Sequence, residues 1–353
     1  MGDKPLSEAA YTISNDVNIF SDSTVQYNAY AQVEPTPTTR VSSFQDLNVE
    51  LYGKLESYNP TGSIKYRPAV FMLHEAMAKG HLIAGDTVIE SSSGNLGAAL
   101  AHVCCDLGLN FICVVDENAQ DWNVNLIRQY GGQVETVRRP IDGCFLRARL
   151  TRLKHLLSEN PDLYWINQYA NLNNLKAHYE TTAQEIINEY GDSLDIVCVP
   201  SSSTGTIGGI KKRFSEESPR TKIVAIDSKY STLYGRKAGV RKIPGMGAGV
   251  KPALADLSKP DHVFWASDHH AIMGCYRALE NDNLFLGGSS GAALEMVYQH
   301  NIFFEGKKVL LIFPDGGEKY KDTIYDDRWL RKEFAISQAE FSQYSKKKTH
   351  NAA

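Results

Sequence analysis

No run of apolar residues in this 353-residue chain approaches the roughly 20 needed to cross a bilayer, and no basic flank precedes an apolar core at its N-terminus. Neither a membrane span nor a secretory leader is expected, which leaves the cytoplasm as the expected location. An excess of basic charge is also missing. The 37 Lys and Arg are outnumbered by 41 Asp and Glu, for a net charge of −4, so nucleic acid is not an expected partner. The six cysteines show neither CxxC pairing nor metal-ligand spacing. Cys113 and Cys198 fall in expected strands and Cys104 and Cys105 in an expected helix, so they read as buried reduced thiols, and no metal is expected. The adjacent pair His269-His270 adds no ligand spacing. Absent too are the GxGxxG and GxxxxGK[ST] glycine patterns of dinucleotide and Walker-type phosphate sites.

What is present in bulk is ordinary. Hydrophobic residues make up 42% and charged residues 22%, as in globular proteins, and the length suits two domains or one two-lobed enzyme. Residues 1–26 and 337–353 are polar and unpatterned, the second stretch containing Lys346-Lys347-Lys348, and both are expected to be tails. Between them short apolar runs alternate with helical patterns. Strands are expected at 87–90, 111–115, 134–137, 163–166, 196–199, 222–226 and 308–313, and helices at 96–107, 122–130 and 177–190. That alternation argues for parallel sheets wrapped by helices. The stretch 230–257 is weakly patterned and contains Gly245-Met246-Gly247-Ala248-Gly249, and loops of that length in compact domains are usually functional.

The chemistry gathers in four segments. Asn59-Pro60-Thr61-Gly62-Ser63-Ile64-Lys65 is a turn-rich run that delivers one ammonium to the start of a helix marked by Ala69, Met72, Leu73 and Ala76 and closed by Gly80. A lysine desolvated there can lose its proton and attack a carbonyl. Ser91-Ser92-Ser93-Gly94-Asn95 follows a strand and opens a helix, where backbone N–H groups suit a carboxylate, and Asn95 adds a neutral amide. Ser201-Ser202-Ser203-Thr204-Gly205-Thr206-Ile207 follows another strand and can wrap a phosphate without a cation. Gly287-Gly288-Ser289-Ser290-Gly291 opens a further helix, and Ser289 can offer a hydroxyl to a ring nitrogen. Each of these alone is also how an ordinary helix cap or surface turn reads. Their order in one chain is the signal. Pro314-Asp315-Gly316-Gly317 then follows the last strand, where α/β sheets place their ligand crevice.

Taken together, from about Thr36 to Trp329, these segments resemble the fold-type II pyridoxal-phosphate enzymes of the cysteine synthase/cystathionine β-synthase family. The resemblance implies an α/β fold like the tryptophan synthase β chain, with two lobes that each carry a mainly parallel sheet wrapped by helices. Lobe boundaries are expected at 27–180, with the Schiff-base lysine and substrate loop, and at 181–336, with the phosphate loop and ring-nitrogen serine. It implies that Lys65 carries pyridoxal 5′-phosphate as a Schiff base and is the catalytic residue. Asn95 would meet the cofactor's 3′-oxygen, Ser203, Thr204, Gly205, Thr206 and Ile207 its phosphate, and Ser289 its ring nitrogen. Ser92, Ser93 and Gly94 would hold the substrate carboxylate with help from Gln168.

The family's phosphate loop is usually richer in glycine, and Ser203 stands where one is common. That departure, Asn167-Gln168-Tyr169-Ala170-Asn171 and the run 314–329 resemble the siderophore-pathway synthases of the family. Those take O-phospho-L-serine and the amino group of an amino acid, proceeding through an aminoacrylate. The product is a precursor of 2,3-diaminopropionate. Phosphoserine brings a dianion, so a cation is expected in its pocket. Arg149, helped by Tyr169 and Ser203, is the first candidate and Arg147 the next. L-Glutamate is the first choice of amine. Open alternatives are a cysteine synthase using O-acetylserine or O-phosphoserine with sulfide, a dehydratase, and a non-catalytic interaction protein of the same fold. The expected partners are small-molecule amino acids and a second copy of the chain in a homodimer.

Overall fold

The computed structural model describes residues 33–42, 44 and 47–346. The expected tail at 1–26 lies outside the described residues. The chain runs β1 (Thr38–Arg40), β2 (Glu50–Leu55), α1 (Tyr66–Ala78), β3 (Thr87–Ser91), α2 (Asn95–Asp106), β4 (Asn110–Asp116), α3 (Asp121–Gln129), β5 (Gln133–Val137), α4 (Phe145–Glu159) and β6 (Tyr164–Trp165). It continues through α5 (Asn173–Glu180), α6 (Thr182–Tyr190), β7 (Ile196–Pro200), α7 (Gly205–Glu217), β8 (Lys222–Ser228), β9 (His262–Ala266), α8 (Asp268–Asp282) and α9 (Gly288–Gln299). The last elements are α10 (Asn301–Phe304), β10 (Lys308–Phe313), α11 (Asp327–Phe334) and α12 (Gln338–Lys346).

Two sheets result. The smaller has the order β5-β4-β3-β6 and is wholly parallel. The larger has the order β1-β2-β10-β7-β8-β9 and is parallel apart from the β1–β2 pair. Every residue of the central strand β7 is buried, as expected where helices cover both faces of a parallel sheet. Val88, Phe111, Val115, Leu73 and Leu100 build the core of the small lobe. Ile196, Cys198, Val309, Leu311 and Met296 belong to the main core of the large lobe.

Four expectations need correction, the last of them the burial of Cys105. β1 and β2 pair into the sheet that holds β10, so residues from 38 to 55 belong to the large lobe and a boundary at 27–180 does not follow the chain. β2 is hard to read in sequence because Gly53 and Lys54 interrupt its apolar pattern. Gly53 lies against Phe313, whose Cε2 would sit 2.1 Å from an added Cβ, and Lys54 is buried but ion-paired to Glu185 at 2.8 Å. Second, the expected tail from 337 begins with α12, which packs on α8 and buries Phe341. Third, the helix expected over 177–190 breaks at Thr181, whose Oγ1 donates to Ala177 O at 2.6 Å and competes with the backbone ladder. Of the cysteines, Cys105 is exposed, while Cys104, Cys113 and Cys198 are buried. Among the described residues no helix is long and apolar enough to cross a membrane.

Candidate active site

The C-terminal ends of β3, β7 and β10 open onto one cleft, the usual ligand position in α/β sheets. The segment before α1 is pinned there. Ile64 N donates to Pro314 O at 2.8 Å, Ser63 bridges Asp315, and Lys65 N donates to Ser63 Oγ at 3.1 Å. Lys65 lines the cleft with part of its side chain still accessible. Desolvation lowers its ammonium pKa to about 8, against the opposing pull of Asp315. An amine with that proton affinity is a competent nucleophile and base near neutral pH.

Asn95 opens α2 opposite that lysine's loop. Its Nδ2 donates to Asp315 Oδ2 at 2.7 Å, and its Oδ1 accepts from Lys319 Nζ at 2.7 Å. Tyr320 donates its hydroxyl to the same Asp315 oxygen at 3.0 Å. Asp315 Oδ1 is buried without a partner. It fits only because residue 287 is glycine, where an added Cβ would lie 1.9 Å from that oxygen. Ser290 Oγ donates to Asp315 O at 3.2 Å. Its neighbour Ser289, buried at the start of α9, faces Gly245, where an added Cβ would lie 3.5 Å from Ser289 Oγ. Asp315 thus touches the segments of Lys65, Asn95 and Ser289.

The loop between β7 and α7 leads into a helix start that no side chain caps among the described residues. Thr204 adopts φ +66°, a conformation that β-branched residues rarely take. Strain of this kind collects where a structure holds a ligand. The first amides of α7, from Gly205, Thr206 and Ile207, therefore have no side-chain acceptor and suit a phosphate. Ser203 Oγ accepts from Asn174 Nδ2 at 3.3 Å, and Thr206 Oγ1 lies 3.1 Å from His178 Nε2. His178 is held neutral, its pKa far down through burial and then through Lys65 and Arg67.

The loop after β3 forms the remaining wall. Ser92 Oγ accepts from Gly97 N at 3.1 Å and Gly94 N at 3.4 Å, which shapes the turn. Arg149 Nη1 donates to Ser93 Oγ and also pairs with Asp116 at 3.3 Å. Arg149 is therefore at the loop, with its charge shared and its Nε unpartnered. Arg147 pairs with Asp142 on the surface. Gln168 Nε2 donates to Ser91 O at 3.3 Å. Tyr169 is partly exposed, and its carbonyl accepts from Leu254 N at 3.3 Å. Behind this wall lies Glu90, fully buried, which accepts from Ser91 N at 2.6 Å, Gln168 N at 2.9 Å and Trp165 Nε1 at 3.4 Å. Burial pushes its carboxyl up to about 7.

Sequence reasoning assigned no role to Asp315, Lys319, Tyr320, Asn174, His178 or Glu90. The only advance signal was the position of Pro314–Gly317 after the last strand. The donor set fits pyridoxal phosphate: a desolvated lysine, an amide and a hydroxyl on either side of a buried carboxylate, and an uncapped helix N-terminus for a phosphate.

Comparison with known proteins gives the same chemistry. A family model described as pyridoxal-phosphate dependent enzyme matches residues 30–315. The chain is 38% identical over 300 residues to an N-(2-amino-2-carboxyethyl)-L-glutamate synthase of Ralstonia nicotianae, covering 84% of this chain and 88% of that protein. Among solved structures it resembles an O-acetylserine dependent cystathionine beta-synthase from Helicobacter pylori, at TM-score 0.78 and 29% identity, covering 84% of this chain and 98% of the other. It also resembles an O-ureido-L-serine-bound mutant of O-ureido-L-serine synthase, at TM-score 0.79 and 26% identity, covering 90% of this chain and 97% of the other.

Proposed function

The chain belongs to the pyridoxal-phosphate dependent enzymes, and from that premise we propose that it is a β-replacement synthase for O-phospho-L-serine and an amino acid, L-glutamate by preference. The Cβ–O bond of phosphoserine breaks and inorganic phosphate leaves. A Cβ–N bond forms to the amine, which gives up one proton, and the product is an N-(2-amino-2-carboxyethyl) amino acid.

Pyridoxal phosphate, when bound, supplies a carbonyl for an amine and an electron sink that acidifies Cα. The chain's residues do the rest. Lys65 would hold the cofactor, and its free amine, with its pKa lowered to about 8, would take the Cα proton and later return it. The first amides of α7, with Ser203, Thr204, Gly205, Thr206 and Ile207, hold the cofactor phosphate. Asn95 would meet the 3′-oxygen and Ser289 the ring nitrogen. Ser289 would offer that nitrogen a neutral hydroxyl and not a carboxylate, which suits expulsion of a β-substituent better than transamination. Ser92, Ser93, Gly94 and Gln168 bind the substrate carboxylate at the N-terminus of α2. Arg149, Tyr169 and Ser203 bind the phosphate of phosphoserine. A homodimer working in the cytoplasm is part of the same proposal.

The observation that carries the reading is Lys65, desolvated to a pKa of about 8 at the point where the segments of Asn95, Ser289 and Asp315 meet. The 38% identity to a glutamate-named synthase supports the choice of amine. The test is the visible absorption of purified protein with pyridoxal phosphate, followed through addition of O-phospho-L-serine and then L-glutamate, with product mass determination. The absorption should change with phosphoserine and recover with glutamate as the coupled product appears. A response to O-acetylserine and sulfide alone would instead make it a cysteine synthase, the second reading favoured by the likeness to an O-acetylserine dependent enzyme.

A further inference from the structure

Arg241 lies on the coil between β8 and β9, and its guanidinium is partly buried without an ion pair. Nη1 donates to Met246 O at 3.1 Å. Among the described residues no carboxylate comes within salt-bridge distance of it. The other inward-facing arginines differ: Arg67 is paired at 2.7 Å, Arg149 at 3.3 Å and Arg277 at 3.1 Å. Asp227 and Asp268 attract Arg241 from beyond salt-bridge distance; Asp227 Oδ1 accepts from Ser228 N and Asp268 Oδ2 from Lys242 N, both at 2.8 Å, while Asp227 Oδ2 is buried without a hydrogen-bond partner among the described residues. From the other lobe Tyr169 and Cys144 face it. Burial lowers its pKa, yet a guanidinium stays charged in proteins. A buried charge without a counterion is costly, and a bound anion removes that cost.

The guanidinium packs against the coil at Met246 and Gly247. An added Cβ on Gly247 would sit 2.4 Å from Nη1. Gly247 N donates to Ser201 O at 2.7 Å and its carbonyl accepts from Ser202 Oγ at 3.1 Å, so Arg241 stands beside the phosphate loop. Two residues before Gly247, Gly245 faces Ser289. Two residues after it, Gly249 would place a Cβ 3.9 Å from Cys144 Sγ, at the start of the helix that carries Arg149.

The anions of the proposed reaction can be counted against these groups. The cofactor phosphate is assigned to α7, the donor carboxylate to Ser92–Gly94, and the donor phosphate to Arg149. What is left is the incoming amino acid, which brings carboxylate and no other anion. We propose that Arg241 binds a carboxylate of the amino acid that supplies the nitrogen, and so helps select an amino acid over sulfide. This inference rests on the amine-coupling reading above.

The test compares wild-type protein, Arg241→Gln and Arg241→Lys, each loaded with pyridoxal phosphate and given saturating O-phospho-L-serine while L-glutamate or L-glutamine is varied. Arg241→Gln should raise the KM for L-glutamate about 30-fold or more. The absorption change caused by phosphoserine alone should stay as in wild type. Arg241→Lys keeps the charge without the planar fork and should fall between the two. If only L-glutamate is affected, the side-chain carboxylate is the one bound; if both amines are affected equally, it is the α-carboxylate. An unchanged KM in Arg241→Gln, or an effect on the phosphoserine step instead, would overturn the assignment. Should Arg241→Gln fail to fold, Arg241→Lys alone decides: an unchanged KM for L-glutamate overturns the assignment and a raised one supports it. Wild-type protein that couples no amino acid would sink the proposed function itself, an outcome distinct from all of these.

Discussion

Asn95 and Asp315 are 220 residues apart in sequence and share a 2.7 Å hydrogen bond from Nδ2 to Oδ2. With Lys319 donating to Oδ1 at 2.7 Å, the Asn95 amide has a single consistent orientation. A carboxamide nitrogen has two N–H donors. One is held by Asp315, and the other has no acceptor among the described residues. The same carboxylate sets the electrostatic environment of Lys65.

That second role gives a signed prediction. Asp315 raises the proton affinity of Lys65 while desolvation lowers it to about 8. In Asp315→Asn, Lys319 remains beside position 315 and His178 remains neutral. Removing the negative charge favours the neutral amine, so Lys65 should become reactive at lower pH. Acylation of Lys65 against pH, read by mass spectrometry in cofactor-stripped protein, should show a midpoint below about 8. A midpoint that moved upward would show that Asp315 does not act on Lys65 through its charge.

Lys65→Ala should lower β-replacement turnover by about a thousandfold or more, since it removes both the covalent holder and the base. The assay is product formation from O-phospho-L-serine and L-glutamate. Full activity in the variant would remove Lys65 from its assigned role.

Gly205 is fixed by Asn174. An added Cβ would lie 2.1 Å from Asn174 Oδ1, and the same side chain donates to Gln168 O at 2.8 Å and Ser203 Oγ at 3.3 Å. Gly205→Ala should displace Asn174 and weaken pyridoxal-phosphate binding by about tenfold or more, as overpacking generally does. Cofactor titration by absorption measures it, and wild-type affinity would mean that the loop gives way without loss.

Arg67, two residues after Lys65, is wholly buried between Glu56 at 2.7 Å and Glu185, which also pairs with Lys54 at 2.8 Å. This network fastens the start of α1 to the large sheet. Arg67→Met leaves Glu56 buried without its partner and should cost about 3–5 kcal/mol of stability in denaturant unfolding. A loss below about 1 kcal/mol would show that the network relaxes around the gap.

Glu90 predicts a pH effect. Burial pushes its carboxyl up to about 7 in the folded protein, from about 4.5 for a solvated glutamate. The folded protein therefore keeps a proton that the unfolded chain releases, and stability from this group declines as pH rises from about 4.5 to about 7, by a few kcal/mol. Glu90→Gln should flatten that part of the stability profile in denaturant melts. The same slope in the variant would mean that other groups cause it.

The sequence by itself determined the alternation of strands and helices, and with it the parallel sheets. It also marked Lys65, Asn95, Ser203–Ile207 and Ser289, because each sits at a strand-to-helix or turn-to-helix junction whose small residues are readable locally. Tertiary structure decided what sequence periodicity cannot carry. Lys54 is buried in a strand only because Glu185, 131 positions later, neutralises it. Glu90, Asn174 and Asp315 look like ordinary polar residues until the fold buries them, and their partners lie on other loops. Arg241 shows the same limit from the other side. An arginine in a polar coil carries no sequence signal, and only the packing of that coil shows that no carboxylate among the described residues reaches it within salt-bridge distance. Local pattern reports which face of an element is apolar, whereas the energy of a buried charge depends on what the rest of the chain brings to it.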